Sequence, residues 1–248
     1  MQIEDFSNGF DLLLNSYATP SMFGEESTSS TRPTITLDEY EKSFFLTKAQ
    51  EDLALELYNG KNAYGEAFEN TEEQRRYLSN LVMEEELEPI SGTSGVPLGV
   101  DSKSKFFTLP EDLWFITYEA AKATGVGRCN RTQYMDVYPV TQDEYHKIKR
   151  NPFRGANGRR ALRLDLADNV IEIVCKYQVI SYYVRYLKKL KPIILVDLPD
   201  NLNINGISYQ SECMLHESLH QKILERAVMQ ALQSKGLIRT NNNKNENK

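Results

Sequence analysis

The chain has 248 residues, of which 40% are hydrophobic and 26% are charged, and its formal net charge is −6. This length and balance are typical of a soluble globular protein with enough apolar material for a sizeable core. The acidic charge argues against a general nucleic-acid binder, whose surface would be basic. It is compatible with a protein that surrounds DNA without gripping it, because an acidic wall repels phosphate.

The sequence carries no sign of export or membrane insertion. The first basic residue is Arg32, and no apolar run reaches the roughly 18 residues that a membrane-spanning helix needs. Cys129, Cys175 and Cys213 are widely separated and form no C-x-x-C pair, which favours reduced thiols over a disulfide framework. We therefore expect a protein that is made in the cytoplasm.

Residues 1–35 differ in character from the rest of the chain. The segment IEDFSNGFDLLLNSYA has apolar residues at near-helical spacing, which is typical of a short amphipathic helix or of an arm that orders only against a partner. The next segment, TPSMFGEESTSSTRPT, is rich in Ser, Thr, Gly and Pro and indicates an exposed linker. We predict that residues 1–35 form a flexible arm and linker that precede a folded body over residues 36–236.

Two capping boxes predict the first helices of this body. TLDE predicts a helix over residues 36–60 with a glycine stop, and TEEQ predicts a second helix over residues 71–87. An acidic run, Glu84-Glu85-Glu86, falls at the end of the second helix, where the helix dipole disfavours negative charge. This run is interpreted either as a solvated, frayed end or as an acidic surface that faces DNA or a basic partner.

The periodicity changes from Lys105 onward. Segments rich in β-branched and aromatic residues predict strands between about residues 105 and 198, with a hairpin that turns at Asp168-Asn169. A helical pattern then predicts a long helix over residues 211–235, and the polar residues 237–248 predict a disordered tail. The fold class is therefore α+β, with a helical N-terminal half, a central antiparallel sheet and a long C-terminal helix.

The last predicted helix contains the segment HESLH, from His216 to His220, which matches the H-E-x-x-H motif of zinc metallopeptidases. A catalytic zinc needs three protein ligands and an open position for water, and the residues after His220 supply no third ligand at the usual spacing. Both histidines instead begin a column that continues with Leu224, Val228 and Leu232, which favours packing into a buried helix face. We therefore predict no catalytic, cofactor or metal site, with a zinc metallopeptidase as the alternative.

Four segments resemble virion proteins of crAss-like (Bacteroidales-infecting) tailed phages, in particular ring or connector proteins beneath the portal. The segments are LDEYEKSFFLTKAQEDLALELYNG (37–60), FENTEEQRRYLSNLV (68–82), YYVRYLKKLKPIILVDLP (182–199) and LHESLHQKILERAVMQAL (215–232). The resemblance implies a non-enzymatic virion subunit in a closed ring, with twelve copies to match the symmetry typical of portals. Such a ring would bridge capsid and tail around the DNA channel.

The same resemblance implies the partners of the chain. They would be further copies of itself, the portal protein and adjoining tail ring proteins, with packaged DNA passing through the channel and no membrane contact. Assembly would take place in the host bacterial cytoplasm. A tail-hub structural subunit is the alternative within this class.

A ring subunit needs extensions that contact its neighbours, and two groups of residues are candidates for such contacts. The first group consists of aromatic anchors on the predicted arm, which are Phe6, Phe10 and Phe23. The second group consists of the basic residues of the loop RNPFRGANGRR, which are Arg150, Arg154, Arg159 and Arg160. This loop would contact an acidic neighbour or the DNA backbone, or else form a solvated hairpin tip.

Overall fold

The computed structural model divides the chain into two compact units, one mainly helical and one built around a sheet. The helical unit comprises Met1–Asn80 and Leu190–Lys248, and the sheet unit comprises Leu81–Lys189. The structure describes residues 1–17, 36–60, 71–90, 99–126, 131–199 and 201–236. The predicted linker after residue 17, including Phe23, and the predicted tail at 237–248 lie outside the described residues.

The helices and strands confirm the α+β class. The helices of the described residues are α1 (Ile3–Tyr17), α2 (Glu39–Asn59), α3 (Glu72–Leu78), α4 (Gln142–Ile148) and α5 (His220–Ser234). The strands are β1 (Val82–Leu87), β2 (Lys105–Thr108), β3 (Leu113–Val126), β4 (Arg131–Pro139), β5 (Arg160–Asp165), β6 (Val170–Val174) and β7 (Gln178–Lys188). Short 3₁₀ turns at Ser79–Leu81 and Glu217–Leu219 precede β1 and α5. Among these helices, none combines the length and the apolar character that crossing a membrane requires.

Helix α1 packs inside the helical unit. Phe6, Phe10 and Leu14 lie four residues apart, so they share one helix face, and all three are buried. The helix contacts α5, and an added Cβ at Gly9 would lie only 2.8 Å from Cδ2 of Leu224. The prediction of a flexible arm is therefore wrong for residues 1–17, because α5 of the same chain supplies an apolar surface that buries the stripe.

A buried cation also ties α1 to α2. The Lys42 side chain lies 2.7 Å from the Asp11 carboxylate and 2.9 Å from the Glu39 carboxylate. Burial by itself would lower the pKa of Lys42, but the hydrogen bonds with the two carboxylates outweigh it and raise the pKa. The ammonium therefore stays charged and holds the outer side of α1 against the start of α2.

Helix α2 begins and ends at residues that satisfy its terminal backbone groups. Its first residue is Glu39 rather than residue 36, because the Asp38 carboxylate accepts a hydrogen bond of 2.7 Å from the Glu41 N–H and caps the helix there. It ends at Gly60, whose φ of +70° places it in the left-handed region that favours glycine. The predicted helix is thus confirmed with a later start.

The predicted helix over residues 71–87 is wrong beyond Leu78. Thr71 caps α3 through a hydrogen bond from the Gln74 N–H, as the capping box predicts, but the helix gives way to a 3₁₀ turn and then to β1. Strand β7 supplies the reason, because it offers a complete antiparallel ladder to the acidic segment, with Glu84 opposite Arg185. Cross-strand pairing with a basic and hydroxylated neighbour outweighs the local helical preference.

The seven described strands form one sheet in the order β1-β7-β3-β4-β5-β6-β2. All neighbours are antiparallel except β4 and β5, which run parallel because α4 carries the chain back between them. The hairpin between β5 and β6 is confirmed, since Asp168 and Asn169 both have positive φ, near +58° and +56°. The antiparallel prediction therefore holds for the sheet with one parallel exception.

An ionic group is embedded among the apolar residues on the inner face of this sheet. Glu119 on β3 lies 2.8 Å from the guanidinium of Arg163 on β5, and the Tyr182 hydroxyl donates a hydrogen bond of 2.6 Å to the same carboxylate. Burial raises the pKa of Glu119, although Arg163 and Tyr182 act in the opposite direction. The group links three strands by contacts that leave neither charge isolated.

The predicted helix over residues 211–235 is confirmed only in its C-terminal part, since α5 begins at His220. Ser211 instead forms an isolated bridge with Ile194, in which each backbone N–H donates to the other residue's carbonyl at 3.1 Å. The Ser211 hydroxyl also donates to the Pro192 carbonyl at 2.5 Å. These bonds hold the backbone extended, so the helix cannot start at residue 211.

Candidate assembly surfaces and the HESLH segment

The HESLH segment does not form one continuous helical turn. His216 has extended backbone dihedrals and caps the 3₁₀ turn Glu217–Leu219, and its Nδ1 lies 2.9 Å from the Ser218 hydroxyl. His220 is the first residue of α5. The two imidazoles therefore lack the i, i+4 placement on a single α-helix by which an H-E-x-x-H motif presents both rings to zinc.

His220 is packed into the helical unit with both ring nitrogens engaged. Its Nε2 donates to the Leu215 carbonyl at 3.2 Å, its Nδ1 lies 3.0 Å from the Met1 nitrogen, and its ring centroid lies 5.3 Å from that of Phe6. Burial is the main cause that lowers the pKa of His220. These contacts are those of a neutral imidazole that fills space between α1 and α5.

The prediction that both histidines belong to a buried helical column is correct only for His220. His220, Leu224, Val228 and Leu232 are all buried, whereas His216 is half-buried because it precedes the helix. Within the ranges that the structure describes, no group of three or more His, Cys, Asp or Glu side chains is placed to hold a metal ion. The geometry of this segment supports the packing interpretation rather than the zinc one.

The aromatic residues predicted as anchors are placed differently by the structure. Phe6 and Phe10 are buried against α5 rather than displayed on an exposed arm, with relative exposures of 1% and 0%. Their burial follows from the amphipathic pattern of α1, which the helical unit satisfies internally. Phe23 lies outside the described residues.

The basic residues of the second group lie together in one ordered loop, residues 150–160, named here the arginine loop. Arg150, Arg154 and Arg159 are exposed, and within the described part of the chain none of the three forms an ion pair. Arg160 differs, because its guanidinium stacks 4.1 Å above the Tyr138 ring and donates to the Phe153 carbonyl at 3.0 Å. Arg160 therefore fixes the loop to the sheet, whereas the other three are free to bind a partner.

Two asparagines give the arginine loop its shape. The Asn151 side-chain oxygen accepts hydrogen bonds from the N–H groups of Phe153 and Arg154, and Asn157 accepts in the same way from Arg159 and Arg160. At the buried Gly155 an added Cβ would lie 2.7 Å from the Asn151 carbonyl oxygen, so the turn requires glycine. The loop is thus a defined structure rather than a loose tip.

A second surface, which sequence patterns did not reveal, lies on the outer face of strands β1, β7, β3 and β4. We name it the tyrosine face, and it consists of Tyr118, Tyr134 and Tyr183 with Glu84, Glu86, Lys122 and Arg185. In the sheet register, Arg185 on β7 lies between Tyr118 on β3 and Glu84 on β1. Lys122 on β3 lies opposite Tyr134 on β4. Tyr118 and Tyr134 are 50% and 56% exposed, so together with Tyr183 they present aromatic rings to a partner.

Polar contacts hold the tyrosine face in a fixed arrangement. The Tyr183 hydroxyl donates to the Glu84 carboxylate at 2.7 Å, and this bond, followed by the attraction of Arg185, keeps the pKa of Glu84 below its usual value. Rings of Tyr118 and Tyr183 meet edge-to-face with centroids 6.1 Å apart. Lys122 lies 5.9 Å from the Tyr134 ring centroid and 3.7 Å from the Glu86 carboxylate.

The fold and these surfaces define a structural assembly protein. The described residues present an ordered basic loop and an aromatic sheet face, which are features of protein–protein contact, and the HESLH segment serves packing. The chain belongs to the phage tail ring protein 3/4 family, whose profile matches residues 1–244.

Curated relatives agree with this assignment over nearly the whole chain. The chain is 48% identical over 238 residues to Ring protein 3 of Bacteroides phage crAss001, covering 95% of this chain and 96% of that protein. It is 28% identical over 237 residues to Ring protein 4/5 of the same phage, covering 92% and 91%. The resemblance to crAss-like phage ring proteins is confirmed, and the chain is a structural ring protein of the phage virion.

Proposed function

We propose that the chain assembles into a closed homo-oligomeric ring of the head–tail connector, below the portal, and bridges capsid and tail around the DNA channel. The observation that carries the proposal is the full-length family match, together with 48% identity to a protein named Ring protein 3. A match over residues 1–244 includes both units, so the ring proteins share the complete architecture rather than one module.

The charge of the chain suits a channel through which DNA moves. Acidic residues number 35 against 29 basic ones, so the subunit as a whole repels phosphate and does not hold the duplex in place. Twelve copies are proposed because a connector ring that adjoins a portal gains the most contacts when it shares the portal's rotational symmetry. No enzymatic step is part of this role, and assembly takes place in the host bacterial cytoplasm.

We further propose that Arg150, Arg154 and Arg159 of the arginine loop contact a neighbouring ring component. Exposed guanidinium groups without an acidic partner in the described chain are suited to pairing with carboxylates across an interface. Phe6 and Phe10 are buried within the helical unit and are not part of this proposed contact.

Imaging of the virion tests the position and the copy number together. We expect a twelve-fold ring of this chain directly beneath the portal, and mass photometry of the purified protein to show a species of about 340 kDa from 28.5 kDa subunits. A ring of different symmetry would refute the copy number. A ring further along the tail would refute the connector position while leaving the ring function intact, and it would favour the tail-hub alternative.

A further inference from the structure

The arginine loop carries an aromatic side chain that the described part of the chain leaves almost fully exposed. Phe153 is 84% exposed, and it lies between Arg150 and the adjacent Arg154, which are also exposed. Its backbone is fixed on both sides, because its N–H donates to Asn151 and its carbonyl accepts from Arg160. A rigidly presented aromatic side chain between two cations is the composition of an interface anchor, since little entropy is lost when it binds.

The tyrosine face provides the complementary chemistry. The rings of Tyr118, Tyr134 and Tyr183 supply an aromatic surface on which an exposed Phe can pack. Glu84 and Glu86 already pair with Arg185 and Lys122, but their side chains remain 61% and 50% exposed, so their carboxylates can also accept hydrogen bonds from a guanidinium of another copy. Lys122 and Arg185 balance these two carboxylates, so the tyrosine face lacks the net positive charge that DNA binding requires.

We propose that the arginine loop of one copy docks on the tyrosine face of the next copy, with Phe153 against the tyrosines and Arg154 beside Glu84. The inference rests on the proposed ring function and names the contact that builds the ring. The loop precedes β5 while the carboxylates lie on β1, so strands β7, β3 and β4 separate the loop from the carboxylates in the strand order. Because the loop and the face are different surfaces, the contact between them is heterologous, which is the kind that propagates around a ring.

Two variants that each remove one side of the contact test this proposal. Phe153→Ser removes the anchor and leaves the tyrosine face intact, whereas a Tyr118→Ser/Tyr134→Ser variant removes the face and leaves the loop intact. Neither change touches the buried core, so circular dichroism and thermal melting should match the wild type. Tyr209→Ser is the matched control, because Tyr209 is 58% exposed and belongs to neither surface.

The assay is sedimentation velocity of each purified full-length chain and of mixtures. Each interface variant should lose at least tenfold in self-association, and the control should assemble like the wild type. A mixture of the two variants retains one intact loop and one intact face, so it should form one-to-one heterodimers and nothing larger. This outcome is specific to a heterologous contact.

Four results would overturn the inference. If either variant assembled at the same protein concentration as the wild type, another surface would build the ring. The proposed ring function would then stand, and only the contact between loop and face would be refuted. A mixture without heterodimers, or a wild-type chain that stays monomeric, would show that the loop and face do not bind each other. Loss of binding to a short DNA duplex by Phe153→Ser, with self-association unchanged, would assign the loop to DNA instead.

Discussion

The burial of α1 against α5 makes a strong prediction about Phe10. Truncation of Phe10 to alanine removes a side chain whose relative exposure is 0%, in a helix whose other inward residues, Phe6 and Leu14, are 1% exposed. A buried Phe→Ala change in a well-packed site costs about 3–5 kcal/mol, which combines the lost transfer free energy with the cavity left behind. The expected effect is large against a total stability of about 5–15 kcal/mol for a typical protein.

Detachment of α1 limits this cost. Helix α1 is joined to the helical unit by its contacts with α5 and α2, and local opening of these contacts would separate it without unfolding the remaining helices. The free energy of unfolding can therefore fall by no more than the docking free energy of α1. If that limit is reached, amide protons of α5 near Leu224 should exchange faster while the sheet unit remains protected.

Urea unfolding followed by circular dichroism, combined with hydrogen exchange, measures both effects. Leu12→Ala is the matched control, because Leu12 lies on the same helix with 72% exposure, and it should cost less than about 0.5 kcal/mol. The reasoning would be refuted if Phe10→Ala and Leu12→Ala had the same small effect on unfolding and on α5 exchange. Such a result would mean that α1 is not docked on its own chain.

Three further predictions follow from buried or motif residues. Burial places the folded-state pKa of His220 below the unfolded value of about 6.5. As the pH falls, the unfolded state therefore binds a proton first, so the free energy of unfolding should be highest above about pH 6.5 and should decrease below it. His220→Gln should remove this part of the pH dependence in unfolding experiments at pH 5 and pH 7.5. Arg163→Met, which leaves the buried Glu119 carboxylate without its cation, should cost about 3–5 kcal/mol, and the added Glu119→Gln change should recover part of that loss in thermal melts. Elemental analysis should find no stoichiometric zinc in the purified chain and no difference in His216→Ala; bound zinc that disappears in this variant would restore the metallopeptidase interpretation.

The glycine stop of α2 and the β5–β6 turn can be predicted from the sequence because their physics is local. Gly60 ends α2 and Asp168-Asn169 turns the β5–β6 hairpin, and each is decided by a backbone conformation that a few adjacent residues prefer. The packing role of His220 also followed from its helical column, since a buried stripe repeats every three or four residues. The family resemblance likewise depends on the sequence alone.

Errors arose where a distant segment determined the local structure. Residues 82–87 form a strand because β7 pairs with them, and Ser211 is extended because Ile194 binds it, although neither partner is near in sequence. The amphipathic pattern of α1 predicts that the helix needs an apolar surface, but it does not show that α5 of the same chain provides that surface.

The two proposed assembly surfaces also differ in whether the sequence reveals them. The exposed arginines could be identified from composition, because a basic run among Gly, Asn and Pro is a local pattern. The tyrosine face required the strand order, which places β1, β7, β3 and β4 side by side although up to about a hundred residues separate them in the chain. Local preference thus determined several helices and turns, whereas strand pairing and helix docking, which join remote segments to bury apolar surface, decided β1, the start of α5 and the surfaces on which assembly depends.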